Sequence, residues 1–194
     1  MTEAMLKETL RYLGYGRHMV DESTKAMIVE VVTELTAIVK PKSVYRTFEV
    51  NEREGIVLEI ADTQIVSKSL KKYMKNCKKV ILFAATLGIG PDRYLSRTSK
   101  VTMAKTVVIQ AAAAALLEEY CDLEQRKIDE VLKKTGFCTM HRFSPGYGDC
   151  KIENQEMFTR ILQTSKKIGL STTQSYMLTP TKSITAYIGI TDSI

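Results

Sequence analysis

The sequence predicts an α+β fold, with a mostly antiparallel sheet and packed helices. Three observations carry this. Residues 44–50 and 55–61 are β-rich runs joined by the polar turn Asn51-Glu52-Arg53-Glu54. Residues 79–86 (KVILFAAT) form a short apolar run with Val, Ile and Phe, the pattern of a buried strand. Residues 174–178 and 183–190 read as a second hairpin across Thr179-Pro180-Thr181-Lys182, with Ile184, Ala186, Ile188 and Ile190 alternating along its second strand so that one face is buried.

The elements follow in order. Residues 2–13 read as a short amphipathic helix stopped by Gly14 and Gly16. Residues 21–40 are the clearest helix: Met27, Ile28, Val31, Val32, Leu35, Ile38 and Val39 recur at helical spacing, Asp21 suits the N-cap, and Pro41 lies just past the end. After the first hairpin, residues 65–76 return to helical character with a lysine-rich face. The strand at 79–86 leads into Leu87-Gly88-Ile89-Gly90-Pro91, then a short helix over 92–97 and a long one over 100–134. Ala111 to Ala115 on that long helix allow close approach of a neighbour, and Gly136 is a good C-terminal stop. Residues 139–143 form a short strand running into Ser144-Pro145-Gly146. Residues 152–167 form a helix stopped by Gly169.

Composition excludes several classes. The chain has 194 residues, 44% hydrophobic and 26% charged, which suits one globular domain over 1–194 with a helical and hairpin part over 1–70. Residues 107–117 are the longest apolar stretch, shorter than the about 20 residues a membrane span needs. The opening MTEAMLKETL is charged and amphipathic, unlike a signal peptide. Cys77, Cys121, Cys138 and Cys150 contain no CxxC pair and do not make a disulfide framework. A cytoplasmic protein is expected. The net charge of +6 is mild, and without Trp there is no obvious platform for stacking bases.

Catalytic constellations are sparse. His18 and His141 are the only histidines. A Cys138/His141 pair has no specific spacing, and Cys138, His141 and Cys150 lack the paired spacing of a zinc site. No metal site and no independent catalytic group is expected. Gly88-Ile89-Gly90 has two glycines of a dinucleotide fingerprint, but Arg93 takes the third position and no βαβ unit surrounds it, so it reads as a turn.

The segment His141-Arg142-Phe143-Ser144-Pro145-Gly146-Tyr147-Gly148-Asp149 is different. Pro145 fixes one backbone angle and Gly146 permits positive φ or close ligand approach. Arg142 can grip a carboxylate with two parallel hydrogen bonds, backbone groups of such a turn can read an adenine edge, and Tyr147 offers a flat face with a polar tip. The alternative is an ordinary connection with a solvated arginine.

Arg142-Phe-Ser-Pro-Gly146-Tyr147 resembles the Arg-x-x-x-Gly-Tyr motif of the activation domain of cobalamin-dependent methionine synthase. The resemblance continues through the following helix, Gly169-Leu170-Ser171-Thr172-Thr173-Gln174-Ser175-Tyr176-Met177-Leu178-Thr179-Pro180 and the last strand. Upstream it takes in Leu82-Phe83-Ala84-Ala85-Thr86-Leu87-Gly88 and Glu118-Glu119-Tyr120. Residues 1–70, with Arg11-Tyr12-Leu13-Gly14-Tyr15, are similar to free-standing clostridial-type versions.

The resemblance implies an S-adenosylmethionine-binding reactivation module that docks on the cobalamin domain of a separate methionine synthase lacking its own activation domain. There it supports reductive methylation of cob(II)alamin. Cobalamin would be present only in complex with that partner, and a flavodoxin-like or other one-electron donor is implied. Residue by residue, Arg142 would hold the methionine carboxylate, Ser144, Pro145 and Gly146 would face the adenosine, and Tyr147 would lie between ligand and corrin. Glu119 would face the ammonium or sulfonium, or else is a solvated helix glutamate. Aromatic residues beyond the final strand of the fused domain have no counterpart here, and its early acidic ligand contact has no secure match near Tyr12 to Tyr15. Lys71, Lys72, Lys75, Lys78 and Lys79 would form a docking surface for an acidic partner, or else are a solvated face. Two other readings remain open: a corrinoid-protein docking module that does not use S-adenosylmethionine, and a basic nucleic-acid binder, whose mark would be steep salt dependence.

Overall fold

The computed structural model describes residues 3–15 and 20–192; His18, Gly16 and Thr2 lie outside them. The helices α1 (Glu3–Tyr12) and α2 (Glu22–Ile38) come first. Asp21 caps α2, its carboxylate accepting from the Thr24 N–H at 2.9 Å. The strands β1 (Lys42–Glu52), β2 (Val57–Ile60) and β3 (Thr63–Val66) follow, then α3 (Lys68–Tyr73) and β4 (Lys79–Thr86). Next come α4 (Gly90–Thr98), the 31-residue α5 (Met103–Lys133) and β5 (Phe137–Thr139). A 3-10 turn (Ile152–Asn154), α6 (Gln155–Leu162), α7 (Thr164–Ile168), β6 (Ser171–Thr172), β7 (Leu178–Thr179) and β8 (Ser183–Asp192) complete the order.

Six strands form one sheet in the order β3-β2-β1-β4-β8-β5, every neighbouring pair antiparallel, as the sequence predicts. β4 sits inside the sheet with both faces covered, which explains its unbroken apolar run. Val80, Leu82 and Ala84 face one core with Phe158, Leu162, Tyr187 and the β2–β3 residues. Ile81, Phe83 and Ala85 face the other, against Leu117, Cys121 and Ile128 of α5. A third core joins α1, α2, α4 and the first half of α5, where Ala112 and Ala113 are fully buried beside Ile28, Val31 and Leu35. The alanines thus do what their size predicts and let helices approach closely.

Four sequence expectations are corrected. Residues 65–76 are not one helix: Ile65 pairs with Leu58 on β2, Ser67 caps α3, and Asn76 at φ 76° stands past its end. The helix expected over 152–167 breaks at Gln163, whose φ of 55° interrupts the ladder between α6 and α7. The strand expected over 139–143 is β5, ending at Thr139, with only a bridge from Phe143 to Tyr187 beyond it. The second hairpin does not form. β7 pairs with β6 in a small separate sheet, while β8 takes β4 and β5 as neighbours. Because β8 is interior to the sheet, both its faces are buried, rather than the one that alternation implied.

Candidate functional site

The Arg142 segment is built against the polar half of α5. Four α5 side chains, Glu118, Asp122, Gln125 and Asp129, follow the spacing i, i+4, i+7, i+11 and so share one helix face. Asp129 accepts from the Thr139 N–H at 2.7 Å. Gln125 donates to Thr139 Oγ1 and the Met140 carbonyl, each at 2.8 Å, and accepts from Arg142 at 2.9 Å. Arg142 Nη2 then meets Glu118 and Asp122, each at 2.7 Å. Thr139, Met140 and Arg142 are thus each fastened to α5.

Arg142 is 15% exposed at its side chain, whereas Glu118 and Asp122 are 40% and 57% exposed. The guanidinium is therefore sunk between two carboxylates that still reach solvent. Hydrogen bonds of this charge-assisted type hold it in one orientation.

The turn that follows has a second anchor. Gly146 lies at φ 95°, where a glycine is favoured, and a Cβ there would press within 3.2 Å of Ile152 Cδ1. Its N–H donates to the Cys150 carbonyl at 2.7 Å. Asp149 reaches across to the start of α3 and accepts from Lys68 N at 2.7 Å, Ser67 Oγ at 2.8 Å and Ser69 N at 2.9 Å. These bonds, led by the one from the Ser69 N–H, hold its carboxyl well below the usual carboxylate range. Tyr73 on α3 supports the same segment: its hydroxyl donates to the His141 carbonyl and accepts from Gly189 N at 3.0 Å. Burial pushes that phenol up to about 12, against the lowering effect of the Gly189 bond.

Between α5 and this turn lies a cleft of about 550 Å³. Arg142, Ser144 and Tyr147 of the sequence-predicted set line it, and Tyr147, 66% exposed, stands at its rim. Pro145 is buried and, like Gly146, is not among the lining residues; both act by shaping the turn. Glu119 lies in an adjoining groove of about 390 Å³ between α1 and α5. Glu118 and Asp122, which line both hollows, are the acids that touch Arg142. Glu118, Asp122, Gln125 and Asp129 were missing from the sequence set, although their helical spacing was visible. Asp149 gave no signal, since its partners lie about 80 positions away in sequence.

The five lysines do not share one helix. Lys71 and Lys72 are on α3, Lys75 and Lys78 follow it, and Lys79 opens β4, where it pairs with Glu49 at 3.4 Å. Lys68, Lys71, Lys72 and Lys75 border one shallow groove. Among the described residues, no group of three or more His, Cys, Asp and Glu converges as for a metal ion, and no helix is long and apolar enough to cross a membrane.

The fold is similar to that of a solved reactivation domain. The chain superposes on the crystal structure of the MetH reactivation domain bound to AdoHcy with a TM-score of 0.66. The superposition covers 96% of this chain and 74% of that one, at 15% sequence identity. No protein-family model matches the chain, and no curated protein matches it by sequence.

Proposed function

We propose that the chain is an S-adenosylmethionine-binding reactivation module that acts in the cytoplasm on a separate cobalamin-dependent methionine synthase. The observation that carries this reading is the sunken Arg142 flanked by Glu118 and Asp122, beside the Gly146-Tyr147 turn. The ligand bears a carboxylate, an ammonium and a sulfonium. The cleft offers one guanidinium for the first and two solvent-reaching carboxylates for the other two. Its volume of about 550 Å³ falls within the range of small-molecule sites. The shared fold with a domain that binds AdoHcy supports the same assignment.

In this reading the chain binds and orients. Arg142 fixes the amino-acid end, Ser144, with Pro145 and Gly146 shaping the turn, faces the adenosine, and Tyr147 presents its ring at the open rim where the partner's corrin would meet it. The methyl donor and the partner's cobalt supply the reaction chemistry. A one-electron donor, flavodoxin-like or other, is required, and Lys72, Lys75 and Lys78 offer it or the synthase a basic face, with Lys71 and Lys79 at its margin.

Titration calorimetry with S-adenosylmethionine and S-adenosylhomocysteine tests the assignment. Saturable one-site binding of both is expected, with the sulfonium form favoured if the carboxylates face it. A second reading is favoured by the fact that Arg142 is already satisfied by protein acids: a corrinoid-docking module that does not use this ligand. Absence of saturation by either compound up to about 1 mM decides for that second reading.

A further inference from the structure

We propose a second ligand site, for an organic phosphate of nucleotide size, in the cleft between the end of α2, the start of β1 and α4. This cleft is larger than the Arg142 cleft, about 750 Å³ against about 550 Å³, and the two share no lining residue. Four cations border it: Lys40 and Lys42 on one side, and Arg93 and Arg97 on α4. Among the described residues, none of the four pairs with an acidic side chain, and the four meet in one concavity. The one acid on the wall, Glu34, is already engaged by Lys105 at 3.2 Å and by the Tyr94 hydroxyl. Arg93 and Arg97, four apart on one helix, repel each other, and no acid at helical spacing relieves them. A positive charge gathered and left uncompensated in a concave place is what an anion would complete.

The four side chains stand on fixed backbone. The Lys40 N–H donates to the Leu87 carbonyl at 2.9 Å, and Lys42 is in register with Thr86 at the end of β4. The Gly88-Ile89-Gly90 turn presses on the end of α2 so closely that a Cβ on Gly90 would lie 3.1 Å from the Ile38 carbonyl carbon. That packing sets where α4 begins and hence where its two arginines project. The turn that sequence alone separates from a dinucleotide fingerprint thus places cations rather than cradling phosphate by its glycines.

Size and wall chemistry separate an organic phosphate from a bare ion. Ile38 and Ile89 are 38% and 47% exposed here, and the Tyr94 ring adds a further apolar surface. An inorganic ion would leave these untouched, whereas a nucleotide can put its ring on them and its phosphates on the arginines. A concave cleft of this volume suits a small molecule better than the flat face a protein partner needs.

Calorimetry of the full chain with ADP and with inorganic phosphate, at about 150 mM salt, tests this. ADP should saturate one site and inorganic phosphate should bind at least about ten-fold more weakly. Arg93→Ala/Arg97→Ala should weaken ADP by at least about ten-fold while S-adenosylmethionine binding, a property of the other cleft, stays as in wild type. Lys133→Ala/Lys134→Ala removes the same charge from a distant helix end and should leave ADP binding intact. The proposal is overturned by no ADP saturation up to about 5 mM, by equal weakening in both variants, by phosphate matching ADP, or by displacement of ADP with S-adenosylmethionine. If ADP does not bind but an acidic peptide does, the cleft is a protein contact instead. Melting temperatures of both variants confirm that they fold, and failure of S-adenosylmethionine to bind wild type would leave the ADP result standing.

Discussion

Arg142 Nη2 and Glu118 Oε2 lie 2.7 Å apart, so the guanidinium that would take a ligand carboxylate is already held by one from the protein. Removing it should cost affinity twice over. The ligand carboxylate loses a charge-assisted partner, and Glu118 and Asp122 lose the cation that offsets their repulsion. Arg142→Ala is expected to weaken S-adenosylmethionine binding by about ten- to a hundred-fold, from roughly 1.5–3 kcal/mol for a hydrogen bond to a charged group. Arg142→Lys should recover little of it, because a point charge cannot replace the planar fork. Calorimetry of the two variants beside wild type is the check, and unchanged affinity in the alanine variant removes Arg142 from the site.

Glu118→Gln separates the two jobs of that carboxylate. If Glu118 only orients Arg142, the amide still accepts a hydrogen bond and both ligands weaken alike. If it also faces the sulfonium, S-adenosylmethionine should weaken several-fold more than S-adenosylhomocysteine, whose sulfur is a neutral thioether. We expect the second pattern, since Glu118 is 40% exposed toward the cleft while bonded to Arg142. The ratio of the two dissociation constants reads it directly.

What could be seen in sequence follows from how local each signal is. The α2 pattern and its Asp21 cap are set within a few residues, and β4 announced itself because burial on both faces needs no alternation. Ile65 misled because its partner, Leu58, lies across a tight turn, while the lysines after it have helical spacing of their own. β8 misled for the opposite reason: its nearest sequence neighbour, β7, is not its partner, and its pairing with β4 closes a loop of about a hundred residues. The site shows the same division. Arg142 and Gly146 stand in one recognisable segment, and the acidic face of α5 was there as a helical spacing. Asp149 depends on the start of α3, which no local pattern connects to it.

Gly146→Val should damage the site more than the fold. A β-branched side chain at φ 95° costs on the order of 1–3 kcal/mol in backbone strain and meets Ile152. The turn can relieve that strain only by moving, and Ser144 and Tyr147 move with it. Ligand affinity is expected to fall by at least about ten-fold while the melting temperature drops by only a few degrees. A variant that melts and binds like wild type refutes the claim that this backbone geometry shapes the cleft.

Cys121 makes stability depend on alkaline pH. It is fully buried against the sheet, and burial pushes its thiol up to about 12, with Arg142 nearby pulling the other way. The unfolded thiol titrates near about 8.5. Between those values the unfolded chain has released a proton that the folded chain keeps, so stability falls as pH rises. The contribution is complete below about pH 8.5 and is gone by about pH 12. Melting temperatures measured from neutral pH upward should decline across that window. Cys121→Ala should start lower, because of the cavity, but show a shallower decline; an identical slope would assign the effect elsewhere, to Tyr73 first.

The basic face around α3 gives the last prediction, and the structure decides which lysines to change. Lys71 is a poor choice: it donates to the Gly55 carbonyl at 2.9 Å and the Arg53 carbonyl at 3.2 Å, and pairs with Glu52 at 3.2 Å. It fastens the β1–β2 turn to α3, and reversing it should lower the melting temperature before it says anything about docking. Lys79 is spent on Glu49. Lys72 and Lys75 are exposed and have no acidic partner among the described residues. If this face steers an acidic donor or corrinoid domain, Lys72→Glu/Lys75→Glu should slow reactivation of a cob(II)alamin-loaded synthase several-fold at low salt. The deficit should shrink as salt rises toward a Debye length of about 8 Å. S-adenosylmethionine affinity should stay unchanged, because the Arg142 cleft is lined by other residues. A double reversal with wild-type rate and wild-type salt dependence makes these lysines a solvated face, while leaving the ligand-binding role of the Arg142 cleft to stand or fall on its own titration.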